Sequence, residues 1–226
     1  SRSTRFGSRS GRSTLAATAI GVCGASTNGR RMRAIGCGTG LLMAMLAQQW
    51  EGSITGIDID EDAALQASGN LADTPWFGRL AVVHGDVRTY PFGHSFDCIL
   101  SNPPFYERQL NSGDDRVNLA RHSSELALPE LMAAIRANLE PGGTVAILLP
   151  YGRAAEWIGL AIGHGLWLRR RLDLRQTPGH GFFRSCMLFR EGQSGEAIQG
   201  EMTIQDGRGA YTAEASALLR PYYLYL

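Results

Sequence analysis

The sequence predicts an open α/β fold: a mostly parallel seven-stranded sheet with helices on both faces, closed by an antiparallel last hairpin. Three observations lead there. A glycine-rich turn, Gly36-Cys37-Gly38-Thr39-Gly40, opens an apolar stretch at 41–47. Two short apolar runs lead to acids, 53–58 at Asp58 and 80–84 just before Asp86. A third run, 96–100, breaks at Asn102-Pro103-Pro104-Phe105. Strand-like runs that alternate with helical stretches are the pattern of βαβ units and a parallel sheet.

The first strand is expected over 30–35. It carries Arg30, Arg31 and Arg33, which contradict the burial of a central strand. Poor stability is the expected consequence. In the turn that follows, glycines let the backbone approach a ligand, and the helix N-terminus adds its dipole. The same turn also serves a strand-to-helix connection without a ligand. Residues 53–58 form the second strand and end in Asp58, 22 residues after Gly36. A carboxylate there can accept both hydroxyls of a ribose. A helix over 61–71 follows, with Asp60 and Asp62 as cap and dipole residues at its positive end. The third strand, 80–84, leads to Gly85-Asp86-Val87, where Asp86 is either a turn acid or a second site acid.

The fourth strand, 96–100, cannot continue through two prolines, because each lacks an N–H and fixes φ. The chain therefore leaves the sheet at Asn102, at a strand's carboxyl end, where open α/β sheets bind ligands. An Asn side-chain carbonyl and a main-chain carbonyl can accept both hydrogens of a planar –NH2 group, and the Phe105 ring can stack on its plane. The long polar loop 107–123, with Arg108, Arg116 and Arg121, either holds substrate phosphates or is solvated; His122 reads as a loop histidine.

A helix over 126–139 is expected to stop at Glu140-Pro141-Gly142-Gly143. The apolar run 144–149 reads as a strand buried on both faces, and 154–163 as a helix. Strands at 166–174 and 182–189 form the hairpin around Pro178-Gly179. Arg169, Arg170, Arg171 and Arg175 form a candidate phosphate patch. Alternate strand residues point to opposite faces, so at most half of them act together. The aromatic tail, 201–226, is expected to pack onto the sheet, with base binding as the alternative.

The length of 226 residues suits one α/β domain. No apolar run approaches a membrane span, and no signal-peptide order is present. Cys23, Cys37, Cys98 and Cys186 form no C-x-x-C pair, so free thiols, no metal and a cytoplasmic protein are expected. Residues 1–33 hold seven arginines and no acid, while the remaining 15 arginines face 21 acids, a balance of −6. Overall charge therefore gives no support for nucleic-acid binding. Residues 1–33 read as a disordered or non-native basic segment, with a phosphate-binding arm as the alternative, and 34–226 as the domain.

In order, the glycine turn, the two acids and the Asn-Pro-Pro-Phe tetrapeptide resemble a Rossmann-like class I S-adenosylmethionine-dependent methyltransferase, from about 35 to 189. Three segments are similar to the bacterial tRNA1(Val) adenine-37 N6-methyltransferase family: Gly-Leu-Leu-Met-Ala-Met-Leu-Ala-Gln, Ile-Leu-Ser-Asn-Pro-Pro-Phe-Tyr and Tyr-Thr-Ala-Glu-Ala-Ser-Ala-Leu-Leu. The last separates this family from glutamine methyltransferases that share the Asn-Pro-Pro grip.

The resemblance implies that Gly36, Cys37, Gly38, Thr39 and Gly40 hold the methionine and ribose side of S-adenosylmethionine. It implies that Asp58 and Ile59 lie at the ribose, and Asp86 and the Val87 backbone at the adenine. Asn102 and the Pro103 carbonyl, followed by Pro104 and Phe105, would hold the target amine and base, with Asn102 bordering both sites. A monomer acting on tRNA, without metal or membrane, is the expectation. Glutamine N5- or guanine N2-methylation and an inactive binding module are the alternatives. The family carries an acid where Ala34 stands, so weakened cofactor binding is expected.

Overall fold

The computed structural model describes residues 29–103 and 127–222. Residues 1–28, the loop 107–123 with its arginines and His122, Pro104, Phe105 and the last aromatics of the tail lie outside the described residues.

The first strand forms where expected. β1 (Arg31–Ile35) is followed by α1 (Leu41–Ala47), β2 (Ser53–Asp58), α2 (Glu61–Ala72), β3 (Leu80–His84) and β4 (Phe96–Ser101). Then come α3 (Leu128–Asn138), β5 (Leu139–Pro150), α4 (Ala154–Gly163), β6 (Leu166–Arg175), β7 (Phe182–Glu191), β8 (Ile198–Thr203) and α5 (Ala213–Leu219). The sheet order is β3-β2-β1-β4-β5-β7-β6-β8. β1 to β5 are mutually parallel, β7 is antiparallel to β5 and β6, and β8 runs parallel to β6.

Two features depart from the sequence reading. β8 adds an eighth strand, from a stretch (Ile-Gln-Gly-Glu-Met-Thr) with too few apolar residues to show a period. The Pro141-Gly142-Gly143 run does not lie between helix and strand. α3 stops at Asn138, and these residues form an irregularity inside β5, whose register against β4 shifts between Phe96 and Cys98. Gly142 takes φ 72° there, a conformation that favours glycine.

Both sheet faces are covered. Met32, Leu148, Cys186 and Leu188 pack with Leu42, Met43 and Leu46 of α1 and with Ala215 of α5. On the other face Ile35, Ile99, Ile147 and Leu149 pack against Leu131 and Ile135 of α3 and Trp157 of α4. The tail packs as expected: Leu219 is buried, and Tyr211 and Tyr222 lie partly buried against the first layer.

The arginines of β1 resolve in two ways. Arg31 donates its backbone N–H to Asp97 at 2.8 Å and pairs through Nη2 with Glu140 at 3.2 Å; Arg30 lies 3.5 Å from Asp97. Arg33 instead points into the core. It is 0 % exposed, and none of its three guanidinium nitrogens has a hydrogen-bond partner among the described residues. Its guanidinium carbon lies 3.0 Å from the Phe92 ring centroid and 3.8 Å from that of Phe96. Burial lowers its pKa to about 9, which still leaves it charged at neutral pH.

Gly56 shows how closely β2 meets its cover. A Cβ built there would lie 2.5 Å from the Met43 sulfur and 3.0 Å from Cys37 Cβ. Met43 is 0 % exposed and belongs to the core layer with Leu42 and Leu46, so its sulfur shifts only by moving core neighbours. Gly56→Val is expected to destabilise the protein by about 3 kcal/mol through overpacking, read as a lower urea midpoint.

Candidate active site

Three adjacent strands end level with one another. Ile35 is paired with Ile57 on one side and with Ser101 on the other. The next residues, Gly36, Asp58 and Asn102, therefore share one edge, about 4.8 Å apart from strand to strand. β1 is also where the strand order reverses, the point at which open α/β sheets form a crevice.

The glycine turn is built from this edge. Gly36 and Cys37 donate to the Ile57 carbonyl at 2.9 and 3.2 Å. Gly36, Gly38 and Gly40 all have positive φ, at 66°, 54° and 76°. Their surroundings differ. No atom of the described residues lies within 4 Å of a Cβ placed on Gly36 or Gly38, so among these residues the two border an open cradle. A Cβ on Gly40 would press on Leu71 and Ala67 at 3.2–3.3 Å, so Gly40 serves the packing of α1 on α2. Asn70, a residue the motif pattern does not mark, donates to the Thr39 carbonyl at 2.9 Å and pins the turn to α2. Cys37 is 7 % exposed, and burial, with Asp58 nearby, pushes its thiol up to about 12. It is a neutral packing group that offers a ligand only its backbone.

Asp58 holds the turn directly. Its Oδ2 accepts the Gly38 N–H at 2.7 Å, and its Oδ1 accepts the Asp60 N–H at 3.1 Å. Each oxygen keeps further lone-pair capacity for a hydroxyl. Beside it, Ile59 is 54 % exposed, a bare apolar surface at the site. Asp60 caps α2 by accepting the Ala63 N–H at 3.2 Å, as its position predicts.

Asp86 lies two residues past His84, which is paired with Asp58. Its carboxylate is engaged by Arg88, whose Nε lies 3.0 and 2.9 Å from the two oxygens and whose Nη2 lies 2.6 Å from Oδ2. Arg88 reaches on to Glu130 at 3.3 Å, in the first turn of α3. The sequence does not reveal this pairing, because an i+2 spacing in a turn permits it without requiring it. The neighbouring Val87 side chain is buried in the core, leaving its backbone for the site.

Arg88 holds the Asp86 carboxyl below the usual carboxylate range, chiefly by hydrogen bonding. The sign follows: a depressed folded pKa contributes stability that is present above the unfolded value and lost as pH falls through the lower folded one. Arg88→Met should therefore narrow the stability difference between pH 6 and pH 3, measured by urea unfolding at both.

Asn102 and Pro103 leave β4 as the prolines require. Asn102 is half-buried, and its side chain makes no hydrogen bond to another described residue. Ser101, 2 % exposed, donates its hydroxyl to the Ile35 carbonyl at 3.1 Å. One short bond thus joins the strand end that presents Asn102 to the one that opens the glycine turn. Pro104 and Phe105 lie outside the described residues, so the stacking half of the grip has no geometry here. The donor set fits an adenosyl cofactor: an open two-glycine cradle, a carboxylate with spare capacity beside it and an exposed apolar side chain.

A methyltransferase-domain family model matches residues 34–143. The chain is 30 % identical over 207 residues to the tRNA1(Val) (adenine(37)-N6)-methyltransferase of Pseudoalteromonas translucida, covering 91 % of this chain and 88 % of the relative. It is 33 % identical over 209 residues to the protein of the same name from Bacteroides thetaiotaomicron, covering 92 % and 88 %. Residues 34–226 make up 193 of the 226, so matches of this length reach back before residue 34. Among solved structures, a predicted O-methyltransferase from Agrobacterium tumefaciens aligns with a TM-score of 0.69 at 17 % identity, over 94 % of this chain and 97 % of that one. Geranyl diphosphate methyltransferase in complex with S-adenosylmethionine aligns at 0.58 and 12 % identity, over 80 % and 85 %. At these identities the structures show a shared fold.

Proposed function

We propose, since this chain belongs to the tRNA1(Val) (adenine(37)-N6)-methyltransferase family, that it transfers a methyl group from S-adenosylmethionine to the N6 amine of an adenine in tRNA. The observation that carries the reading is the level placement of Gly36, Asp58 and Asn102 on three adjacent strand ends. It sets an adenosyl cradle beside an amide with no other described partner.

In this reading Gly36, Gly38 and the Thr39 backbone hold the cofactor's amino-acid side, Asp58 its ribose, Ile59 an apolar flank, and Asp86 with the Val87 backbone its adenine. When bound, S-adenosylmethionine supplies an electrophilic methyl group on a sulfonium. The chain's own residues prepare the acceptor. An adenine N6 is a weak nucleophile because its lone pair is delocalised into the ring. The Asn102 side-chain carbonyl and the Pro103 main-chain carbonyl accept its two N–H bonds. Two acceptors fixed in this way favour a pyramidal nitrogen with a localised lone pair. No strong base is needed, since the methylated amine loses its extra proton readily. Phe105 stacks on the target base.

Arg88 has a defined part in the same reading. It shares Asp86 with the cofactor's adenine, so this acid is charge-balanced before any ligand arrives. Among the described residues no helix is long and apolar enough to cross a membrane. We place the protein in the cytoplasm, with its tRNA substrate, as a monomer. Labelled methyl transfer to bulk tRNA, release factor and ribosomal RNA tests the function. Label in tRNA adenine is expected; label in either other substrate, with none in tRNA, overturns it.

A further inference from the structure

The arginine-rich strand β6 is divided by irregularities in its pairing with β7, between Leu168 and Arg170 and again between Leu174 and Arg175. Its arginine side chains reach two different edges of the sheet. Arg169 and Arg170 border a recess with Arg190, Glu191 and Gly142, at the edge where β5 begins. Arg171 and Arg175 lie toward the other edge, where β5 ends and β7 begins.

At that second edge, four flat groups stand next to one another. The Arg171 guanidinium lies 5.3 Å from the Tyr151 ring centroid. Tyr151 lies 5.3 Å from Phe182, with 35° between the ring planes. Arg175 lies 4.6 Å from the Phe182 ring. Both cations are held in place by acids: Arg171 Nε donates to Asp173 at 2.9 Å, and Arg175 pairs with Glu201. Asp173 is itself held by the buried Ser185 hydroxyl. Tyr151 nevertheless remains 40 % exposed, which leaves part of it accessible to a ligand.

Its position gives the cluster a use. Ser101 is paired with Ile147 on the neighbouring strand, so Asn102 is level with Leu148. Tyr151 comes three residues further along the same chain, roughly 10 Å beyond at strand rise. The cluster therefore flanks the Asn102 end of β4, on the carboxyl edge that holds the glycine turn.

We propose that Tyr151, Phe182, Arg171 and Arg175 form a stacking platform for an unpaired nucleotide next to the target adenine. The proposal rests on RNA being the substrate, and it adds a second contact point to the grip at Asn102. Rings and guanidinium planes are the surfaces on which splayed-out RNA bases lie. Asp173 uses one of the five N–H donors of Arg171, which leaves others for a phosphate or a base edge. The body of the chain, 34–226, is net negative, so it does not attract a polyanion by overall charge. Affinity has to come from local contacts of this kind, and stacking is the kind that survives charge compensation by Asp173 and Glu201.

The test measures binding of a fluorescent RNA stem-loop with an unpaired adenine-containing loop to the full chain, alongside labelled methyl transfer to tRNA. Phe182→Ala and Tyr151→Ala should each weaken RNA binding about tenfold, the effect of one lost base stack. Phe182→Leu keeps the apolar volume and should still weaken it, while Phe182→Tyr should restore it. The affinity for S-adenosylmethionine and the melting temperature should stay near the wild-type values for Phe182→Leu. Equal RNA affinity in Phe182→Leu and wild type overturns the platform and makes Phe182 a packing residue. Wild type that binds no RNA overturns it too. Wild type that binds RNA through these residues yet methylates none overturns the catalytic reading while leaving the platform in place.

Discussion

Arg33→Met should raise the melting temperature by about 5 °C, corresponding to about 2 kcal/mol for a chain of this size. Arg33 occupies a central strand, is fully buried and has no hydrogen-bond partner for its three guanidinium nitrogens among the described residues. Taking a charged group out of water costs several kcal/mol, and unpaired buried donors add to that. The Phe92 and Phe96 rings offset part of it, since a desolvated cation over an aromatic face contributes about 2 kcal/mol. Methionine keeps the length, removes the charge and makes favourable sulfur contacts with the same rings. Differential scanning calorimetry checks this. A fall in melting temperature would show that the cation sandwich outweighs the desolvation, and that β1 depends on it.

Asn102→Ala should lower methyl transfer at least a hundredfold while leaving S-adenosylmethionine affinity within about twofold. Removing one preorganised polar contact to the reacting group typically costs two to three orders of magnitude in turnover. The asymmetry between the two measurements is the informative part. Asn102 extends from β4, whereas the glycine turn proposed to hold the cofactor is fixed by bonds that do not involve it: Gly38 to Asp58, Thr39 to Asn70 and Gly36 to Ile57. Single-turnover transfer and isothermal titration separate the two effects. Loss of both together would mean that Asn102 supports the cradle and that the amine is held elsewhere.

Much of the site is legible in the sequence because the signals are local. A run such as Phe-Asp-Cys-Ile-Leu followed by two prolines specifies a strand and its end within ten residues. Gly-Cys-Gly-Thr-Gly before an apolar stretch likewise specifies a turn and a helix start. The acids at 58 and 86 stand out for the same reason, each lying at or just past the end of an apolar run. These local rules place Gly36, Asp58, Asp86 and Asn102 at strand ends.

What each side chain then does depends on partners far away in the chain. Gly38 and Gly40 look alike in sequence; only the approach of α2 makes Gly40 a packing glycine and leaves Gly38 open. Asp86 reads as a free acid until the turn brings Arg88 over it. The arginines of 169–175 read as one patch until their alternation along β6 and their separate side-chain contacts divide them between two edges. β8 carries almost no pattern of its own and becomes a strand by pairing with β6.

The sequence by itself determined the order of elements, the edge at which the site forms and the Asn-Pro-Pro-Phe exit, because chain propensity and hydrophobic patterning act over a few residues. Only the tertiary structure decided that Asn102 stands level with the glycine turn, that Ser101 ties the two together and that Arg33 is buried against two rings with no hydrogen-bond partner among the described residues. Those outcomes follow from strand register, which is set by packing between segments up to 66 residues apart.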